Sequence, residues 1–212
     1  MELTVFAGWL NDVFYEMDFA IEQFYHSLAV SLGWLLTPVL GTLTLSAWKG
    51  IPLILLAIGL ICFRKTRRTG ICCLLALAIG AVFTNLLVKN AVARPRPYDF
   101  DATLRQWWEY VGAHKESDFC FPSGHMTAAC GFTTGFVLVR GKRWLPWGIL
   151  YVVLMGVSRN YLVVHYPSDV FGGLIFGVAA GIASFYIVCA IYRRWGNTPA
   201  LREAQYAGKH SA

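Results

Sequence analysis

Charge is what this sequence has least of. Only 14% of its 212 residues are Asp, Glu, Lys or Arg, whereas 57% are hydrophobic; an average soluble domain carries roughly 25% charged residues. That deficit excludes a disordered chain and a coiled coil, and it argues against a soluble globular domain. It also argues against a nucleic-acid partner, because the formal net charge of +6 is scattered between apolar runs instead of gathered on one wet face. Basic residues are missing from the start of the chain. Glu2, Asp12, Glu16, Asp18 and Glu22 precede the first of them, which excludes a secretory signal with its positive beginning. Metal-ligand spacing is missing too. Cys62, Cys72, Cys73, Cys130 and Cys189 lie in or beside apolar runs and Cys120 stands alone in a loop; all read as small packing residues, with no structural disulfide expected.

What is present is a series of apolar runs, at about 24–47, 50–63, 70–92, 123–139, 145–164 and 168–192. A membrane-crossing helix needs about 20 such residues. The pattern predicts an all-α polytopic membrane bundle of about six transmembrane helices, a single domain over residues 1–212. A short N-terminal interfacial helix, residues 1–23, precedes the first span, since Val5, Phe6, Trp9, Leu10, Val13, Phe14 and Met17 recur at helical spacing. Its acidic polar face is unusual for a helix on a membrane surface, and Pro38 predicts a bend in the first span. Three basic clusters (Arg64 to Arg68, Arg140 to Arg143, and Arg193 onward with Arg202 and Lys209) fall on one side if the spans alternate. The positive-inside rule makes that side cytoplasmic. Both termini, including the tail 193–212, are then cytoplasmic, and the loop 93–121 is extracytoplasmic. Gly173, Gly177 and Gly181 put a stripe of small residues on the last span, suited to close helix packing within the chain.

The informative residues are the ionisable ones beside the spans, which are costly there and mark function. Lys89 and Arg96 end the third span, Pro122-Ser123-Gly124-His125 opens the fourth, Arg159 ends the fifth, and His165 and Asp169 flank the turn into the sixth. All fall at the extracytoplasmic face. Lys89, Arg96 and Arg159 supply three cations for a dianion, and arginine grips phosphate oxygens with two donors at once. Ser123 suits a helix N-cap and Gly124 a close backbone approach, where free N–H groups favour an anion. Of the two histidines, one can attack phosphorus and the other can protonate the leaving oxygen. Asp169, four residues after His165, suits fixing its tautomer. The chemistry indicated is phosphoryl transfer.

These segments resemble the three-part signature of the type 2 phosphatidic acid phosphatase superfamily of membrane lipid phosphatases. Lys89 with Arg96-Pro97 matches its first part, Pro122 to His125 its second, and Ser158-Arg159 with His165 and Asp169 its third. The resemblance covers residues 89–169 directly. It implies that His165 is the nucleophile of a phosphohistidine intermediate, Asp169 its orienting carboxylate and His125 the general acid. It assigns Lys89, Arg96, Ser123, Gly124 and Arg159 to the phosphoryl oxygens, and it implies that no metal or other cofactor takes part. Arg94 falls outside the signature, and both a helper role and a loop charge fit it.

The expected protein is thus an integral-membrane phosphatase, with the bilayer around it and a lipid phosphate of the undecaprenyl pyrophosphate, phosphatidylglycerophosphate or phosphatidic acid type as substrate. Its expected location is a bacterial cytoplasmic membrane, with the site facing outward. Transfer to an acceptor other than water is an alternative, as is a non-catalytic lipid-binding or transport protein. Against the latter, no internal repeat is seen and the charges gather at one end of the spans. His26, His114 and His210 read as surface or capping residues, and Trp107, Trp108 and Tyr110 as interfacial aromatics. Asp99, Asp101, Glu109, Glu116 and Asp118 read as solvated loop charges.

Overall fold

The computed structural model describes residues 3–195, all of whose long elements are helical. Arg202, Lys209 and His210 lie outside the described residues. The first helix, α1 (Val5–Leu45), is 41 residues long. Thr4 caps it by accepting from Ala7 N at 3.2 Å. No break separates the interfacial helix expected at 1–23 from the span expected after it; both lie on this one helix, which also runs through Pro38. The reason lies in which face is which. Asn11, Asp18 and Glu22 are buried, while Val5, Phe6, Trp9, Val13 and Met17 are exposed. The polar stripe therefore points into the protein and the apolar stripe points out, the arrangement a lipid solvent favours.

Lys49 (φ 49°) and Gly50 (φ 73°) then adopt left-handed backbone and end the run. α2 (Ile51–Cys62) has only 12 residues, about 18 Å at the helical rise, against an apolar bilayer thickness of about 30 Å. α3 (Arg67–Ala81) continues through a π-helical stretch, Val82–Val88, into the single turn α4 (Lys89–Val92). The wider π turn immediately precedes Lys89, a placement common at functional sites. The extracytoplasmic loop of the sequence reading contains two short helices, α5 (Pro97–Phe100) and α6 (Ala102–Tyr110). α7 (Gly124–Arg140) and α8 (Leu145–Tyr161) have 17 residues each, and α9 (Pro167–Trp195) has 29. Three helical stretches among the described residues, Val5–Cys62, Arg67–Phe100 and Pro167–Arg194, are long and apolar enough to cross a membrane.

α7 is the centre of the bundle, packed on α3, α8 and α9. The glycine stripe of α9 makes this possible. A Cβ at Gly173 would fall 2.6 Å from the Ser123 carbonyl oxygen, and one at Gly177 would fall 2.5 Å from Cys130 Cβ. The stripe is thus spent inside the chain, on α7, and it sets α9 directly against the helix that begins with Ser123.

The loop above the bundle is clamped by α1. Tyr15 donates to Asp101 Oδ2 at 2.7 Å, and His26 stacks on Trp107 at 4.9 Å. Asp101, expected as a solvated charge, is the N-cap of α6, accepting from Thr103 N at 2.7 Å and Leu104 N at 3.0 Å. Trp107 and Trp108 are partly buried against the cluster of Tyr98, Tyr161 and Tyr166; Tyr110 is the aromatic of that trio that stays exposed.

Candidate active site

The three signature segments meet at one end of the bundle. Ser123 caps α7, its Oγ accepting from Met126 N at 3.4 Å, and its own N–H donates to the Asp169 carbonyl at 3.1 Å. That bond ties the start of α7 to the first turn of α9. Gly124 faces the end of α3 and α4: a Cβ there would meet Asn85 Oδ1 at 3.3 Å and Lys89 Nζ at 4.0 Å. His125, on the first turn of α7, is within electrostatic reach of Arg159, Lys89, Arg96 and His165. It makes no hydrogen bond to a side chain among the described residues.

His165 sits in the turn between α8 and α9 and is buried. Val163, two residues earlier, has φ 52°, a strained position for a β-branched residue; the turn it makes brings His165 back under Arg96. Arg96 Nη1 lies 3.1 Å from His165 Nε2 and donates to the Val164 carbonyl at 2.6 Å. With a guanidinium donor opposite it, Nε2 is the acceptor nitrogen, and the ring proton belongs on Nδ1. Burial first, then Arg96, Arg159 and Lys89, hold the imidazole well below the usual histidine range, so the ring is neutral. A neutral ring with its lone pair on Nε2 is a form a nucleophile can use.

The partner of Nδ1 differs from the expectation. Asp169 Oδ2 lies 3.8 Å away, beyond hydrogen-bond distance. Cys120 stands between them. Its thiol donates to Asp169 Oδ2 at 2.7 Å, and its sulfur lies 3.4 Å from His165 Nδ1. The chain of donors therefore runs from Nδ1–H to sulfur and from S–H to carboxylate. Sequence reasoning left Cys120 as a packing residue, and nothing in its local pattern distinguishes it from one. Cys120→Ser preserves a donor and an acceptor here and is expected to keep kcat within about threefold. Cys120→Val supplies neither and should lower kcat about tenfold, the worth of one such bond; steady-state phosphate release by the two variants checks this.

Asp169 is held from the other side by Arg94, whose role the sequence left open. Arg94 is fully buried, and its Nη1 donates to Asp169 Oδ1 at 2.6 Å and to Ser168 Oγ at 2.8 Å. Nη2 reaches Asp18 Oδ2 at 3.1 Å, Nε reaches Asn11 Oδ1 at 2.9 Å, and the guanidinium lies over the Tyr166 ring at 4.0 Å. Asp18 also accepts from Ser168 N at 2.8 Å and Ser168 Oγ at 2.6 Å, placing a carboxylate at the N-terminus of α9 where the helix dipole favours it. α1 thus braces Asp169 through Asp18, Asn11 and Arg94.

Lys89, Arg96 and Arg159, the cations expected to hold phosphoryl oxygens, are each nearly fully buried. Arg159 donates to Thr44 Oγ1 and to Glu116 Oε1. Lys89 donates to Asp118 Oδ2 at 2.5 Å, and Arg96 Nη2 to Asp118 Oδ1 at 2.5 Å. Glu116 and Asp118 are therefore not free solvated charges. Burial would raise the Asp118 carboxyl, but Lys89 and Arg96 outweigh it and hold it below the usual range. Lys89, Arg96, Asn85, Glu116 and Asp118 line a cavity of about 370 Å³. Cys120, His165 and Asp169 also bring a sulfur, a nitrogen and an oxygen within 4.8 Å of one another, a grouping able in principle to hold a metal. Arg94 on Asp169 and Arg96 on His165 confront any cation there with two positive groups, so the donor set fits an orienting relay better than a metal centre.

Three buried cations and a helix N-terminus beside a buried histidine form an arrangement suited to a phosphoryl group. Residues 69–193 match the PAP2 superfamily. The chain belongs to that superfamily, the type 2 phosphatidic acid phosphatases, a family of membrane lipid phosphatases. It is 32% identical to an undecaprenyl-diphosphatase of Sulfolobus acidocaldarius over 56% of this chain and 54% of that one. It is 35% identical to a decaprenylphosphoryl-5-phosphoribose phosphatase of Mycobacterium tuberculosis over 61% of this chain and 67% of that one. The match thus spans about half of the first relative's length and two thirds of the second's. In structure the chain resembles the crystal structure of a transmembrane PAP2-type phosphatidylglycerolphosphate phosphatase from Bacillus subtilis. There the TM-score is 0.60 at 25% identity, covering 90% of this chain and 92% of that one.

Proposed function

We propose that this protein is an integral-membrane phosphatase that hydrolyses a lipid phosphate monoester or diphosphate through a phosphohistidine. The observation that carries the reading is the gathering of Lys89, Arg96 and Arg159 around His165, whose Nε2 lies 3.1 Å from Arg96 Nη1, a donor that a phosphoryl oxygen would take over as phosphorus approaches. His165 Nε2 attacks phosphorus in line with the leaving oxygen. The P–O bond to the lipid breaks, and His125 gives that oxygen its proton. The three cations and the α7 N-terminus hold the equatorial oxygens while charge moves across them. Nδ1–H, held by Cys120 and Asp169, steadies the cationic phosphohistidine. Water, deprotonated by His125, then cleaves the P–N bond, releasing inorganic phosphate and restoring both histidines.

The substrate follows from the site's position at the end of an apolar bundle. An amphiphile reaches it with its headgroup at the membrane boundary and its tail in lipid. Polyprenyl diphosphates and phospholipid monoesters satisfy that geometry; the undecaprenyl-diphosphatase and the phosphatidylglycerolphosphate phosphatase named above act on these two classes, while the decaprenylphosphoryl-5-phosphoribose phosphatase acts on a polyprenyl lipid whose monoester sits on a sugar. With the basic clusters on the cytoplasmic side, the site opens to the extracytoplasmic face of a cytoplasmic membrane, and cleavage of a polyprenyl diphosphate there regenerates the monophosphate carrier.

The experiment is phosphate release by the detergent-solubilised chain from undecaprenyl diphosphate, phosphatidylglycerophosphate and phosphatidic acid, with excess chelator present. Release from at least one lipid, undiminished by the chelator, is expected. No release from any of them, or complete loss with chelator, contradicts the proposal.

A further inference from the structure

The cradle for phosphate is occupied by the protein's own carboxylates. Asp118 sets one oxygen against Arg96 and the other against Lys89, both at 2.5 Å, and Glu116 pairs with Arg159. Two loop residues two positions apart thus engage all three cations assigned to the phosphoryl oxygens. The two sets differ in burial. The Lys89 side chain is 4% exposed and Asp118 48%, so a fixed cationic floor is covered from the water side by groups that remain partly wet.

The two acid side chains are suited to leaving the cations. Residues 111–123 form no helix or strand. Gly112 and Ala113 take positive φ at its near end. Around Glu116 the backbone is held by Tyr98 Oη through two long contacts, 3.3 Å from Glu116 N and 3.4 Å to Glu116 O. The far end is fixed just beyond the acids, where Cys120 N donates to the Arg94 carbonyl at 2.9 Å. The Asp118 carbonyl also accepts from Arg96 Nε at 3.0 Å, and the His114 carbonyl from Trp108 Nε1 at 2.9 Å, so the backbone can stay in place while the two carboxylate side chains turn away from the cations.

We propose that Glu116 and Asp118 form a displaceable anionic plug that selects substrates by charge, an inference that rests on reading this pocket as the phosphate site. A headgroup with two or more negative charges replaces both carboxylates without loss of charge balance. A phosphodiester headgroup carries one charge, and taking the place of two carboxylates it would leave two of the three buried cations uncompensated instead of one, which is costly. The plug thereby keeps the cradle free of the monoanionic diester lipids that surround the protein, lipids this chemistry is not aimed at and that three bare cations would otherwise retain.

The test uses the full chain in detergent with Glu116→Gln, Asp118→Asn and the double variant, since neither acid touches the reacting atoms. Expected for the double variant is a KM for the phosphomonoester lipid about tenfold lower, with kcat little changed. Inhibition by phosphatidylglycerol, a monoanionic diester, should set in at about tenfold lower concentration. Unchanged KM and unchanged inhibition overturn the plug, as does a raised KM, which would make the acids supports of the site. A parallel titration with orthophosphate in the His165→Ala background, read by calorimetry, needs no turnover. There the double variant should bind about tenfold more tightly, and equal or weaker binding overturns the proposal even if no lipid is hydrolysed. Tighter orthophosphate binding with no hydrolysis of any lipid would uphold the plug and sink the enzymatic reading instead.

Discussion

His165→Ala is expected to lose phosphate release entirely, by at least about 10⁴-fold in kcat/KM, which is the scale on which removing a nucleophile acts. No neighbouring group in the described structure substitutes for it. Cys120 sits on the Nδ1 side with its proton given to Asp169 Oδ2, and His125 is needed for the leaving oxygen. The floor of cations does not depend on the imidazole, because Arg96 keeps its bond to the Val164 carbonyl and its pairing with Asp118. Affinity for orthophosphate should therefore survive in His165→Ala, and a thermal melt with and without phosphate checks that the pocket is intact while turnover is measured.

The second large effect belongs to Asp169→Asn, expected to lower kcat about 10⁴-fold, as loss of the orienting carboxylate does in Ser-His-Asp triads. The reason here is the direction of hydrogen bonds. Oδ2 accepts from the Cys120 thiol and from Tyr166 N, and Oδ1 accepts from Arg94. An asparagine carries a donor on one side. If the amide nitrogen faces Cys120, the thiol turns its proton to His165 Nδ1, and the ring is left either with donor facing donor at Nδ1 or with its proton on Nε2 against Arg96 Nη1, where the lone pair aimed at phosphorus is gone. If it faces Arg94, donor meets donor in a buried site. Arg94 keeps its pairing with Asp18, so the fold survives and the loss is one of chemistry. A Tm within a few degrees of wild type, with kcat collapsed and KM little moved, is the expected signature. Retention of a tenth of the activity would remove Asp169 from its role.

The residues of the cradle were legible because each part of the signature is local: Lys89 to Arg96, Pro122 to His125, Arg159 to Asp169. What surrounds them was not. Asp18 and Ser168 lie 150 positions apart and Arg94 and Asp169 lie 75 apart, so nothing in either neighbourhood announces the pairing. Asp118 in a loop reads the same whether it faces water or an arginine, and Cys120 reads as packing until its two partners are seen. α1 was misjudged at one boundary for a related reason. The helical spacing of its apolar residues suggested a surface helix in spite of its acidic face, whereas in a lipid setting a polar stripe is turned inward, onto Arg94 and the start of α9. The apolar runs located the helices well, including the short second one, expected at about 50–63 and found at Ile51–Cys62 after the turn at Lys49 and Gly50.

The central claim is a covalent bond between phosphorus and His165, and one measurement addresses it directly. The purified His125→Ala chain, slowed at the leaving-group and hydrolysis steps, is mixed with a substrate lipid carrying labelled terminal phosphate, quenched in alkali and digested for mass spectrometry. The label is expected on the peptide containing His165, and absent when His165→Ala is added to the same chain. Label on any other residue, or phosphate released by His125→Ala at a measurable rate without a labelled protein at any time point, would contradict the account.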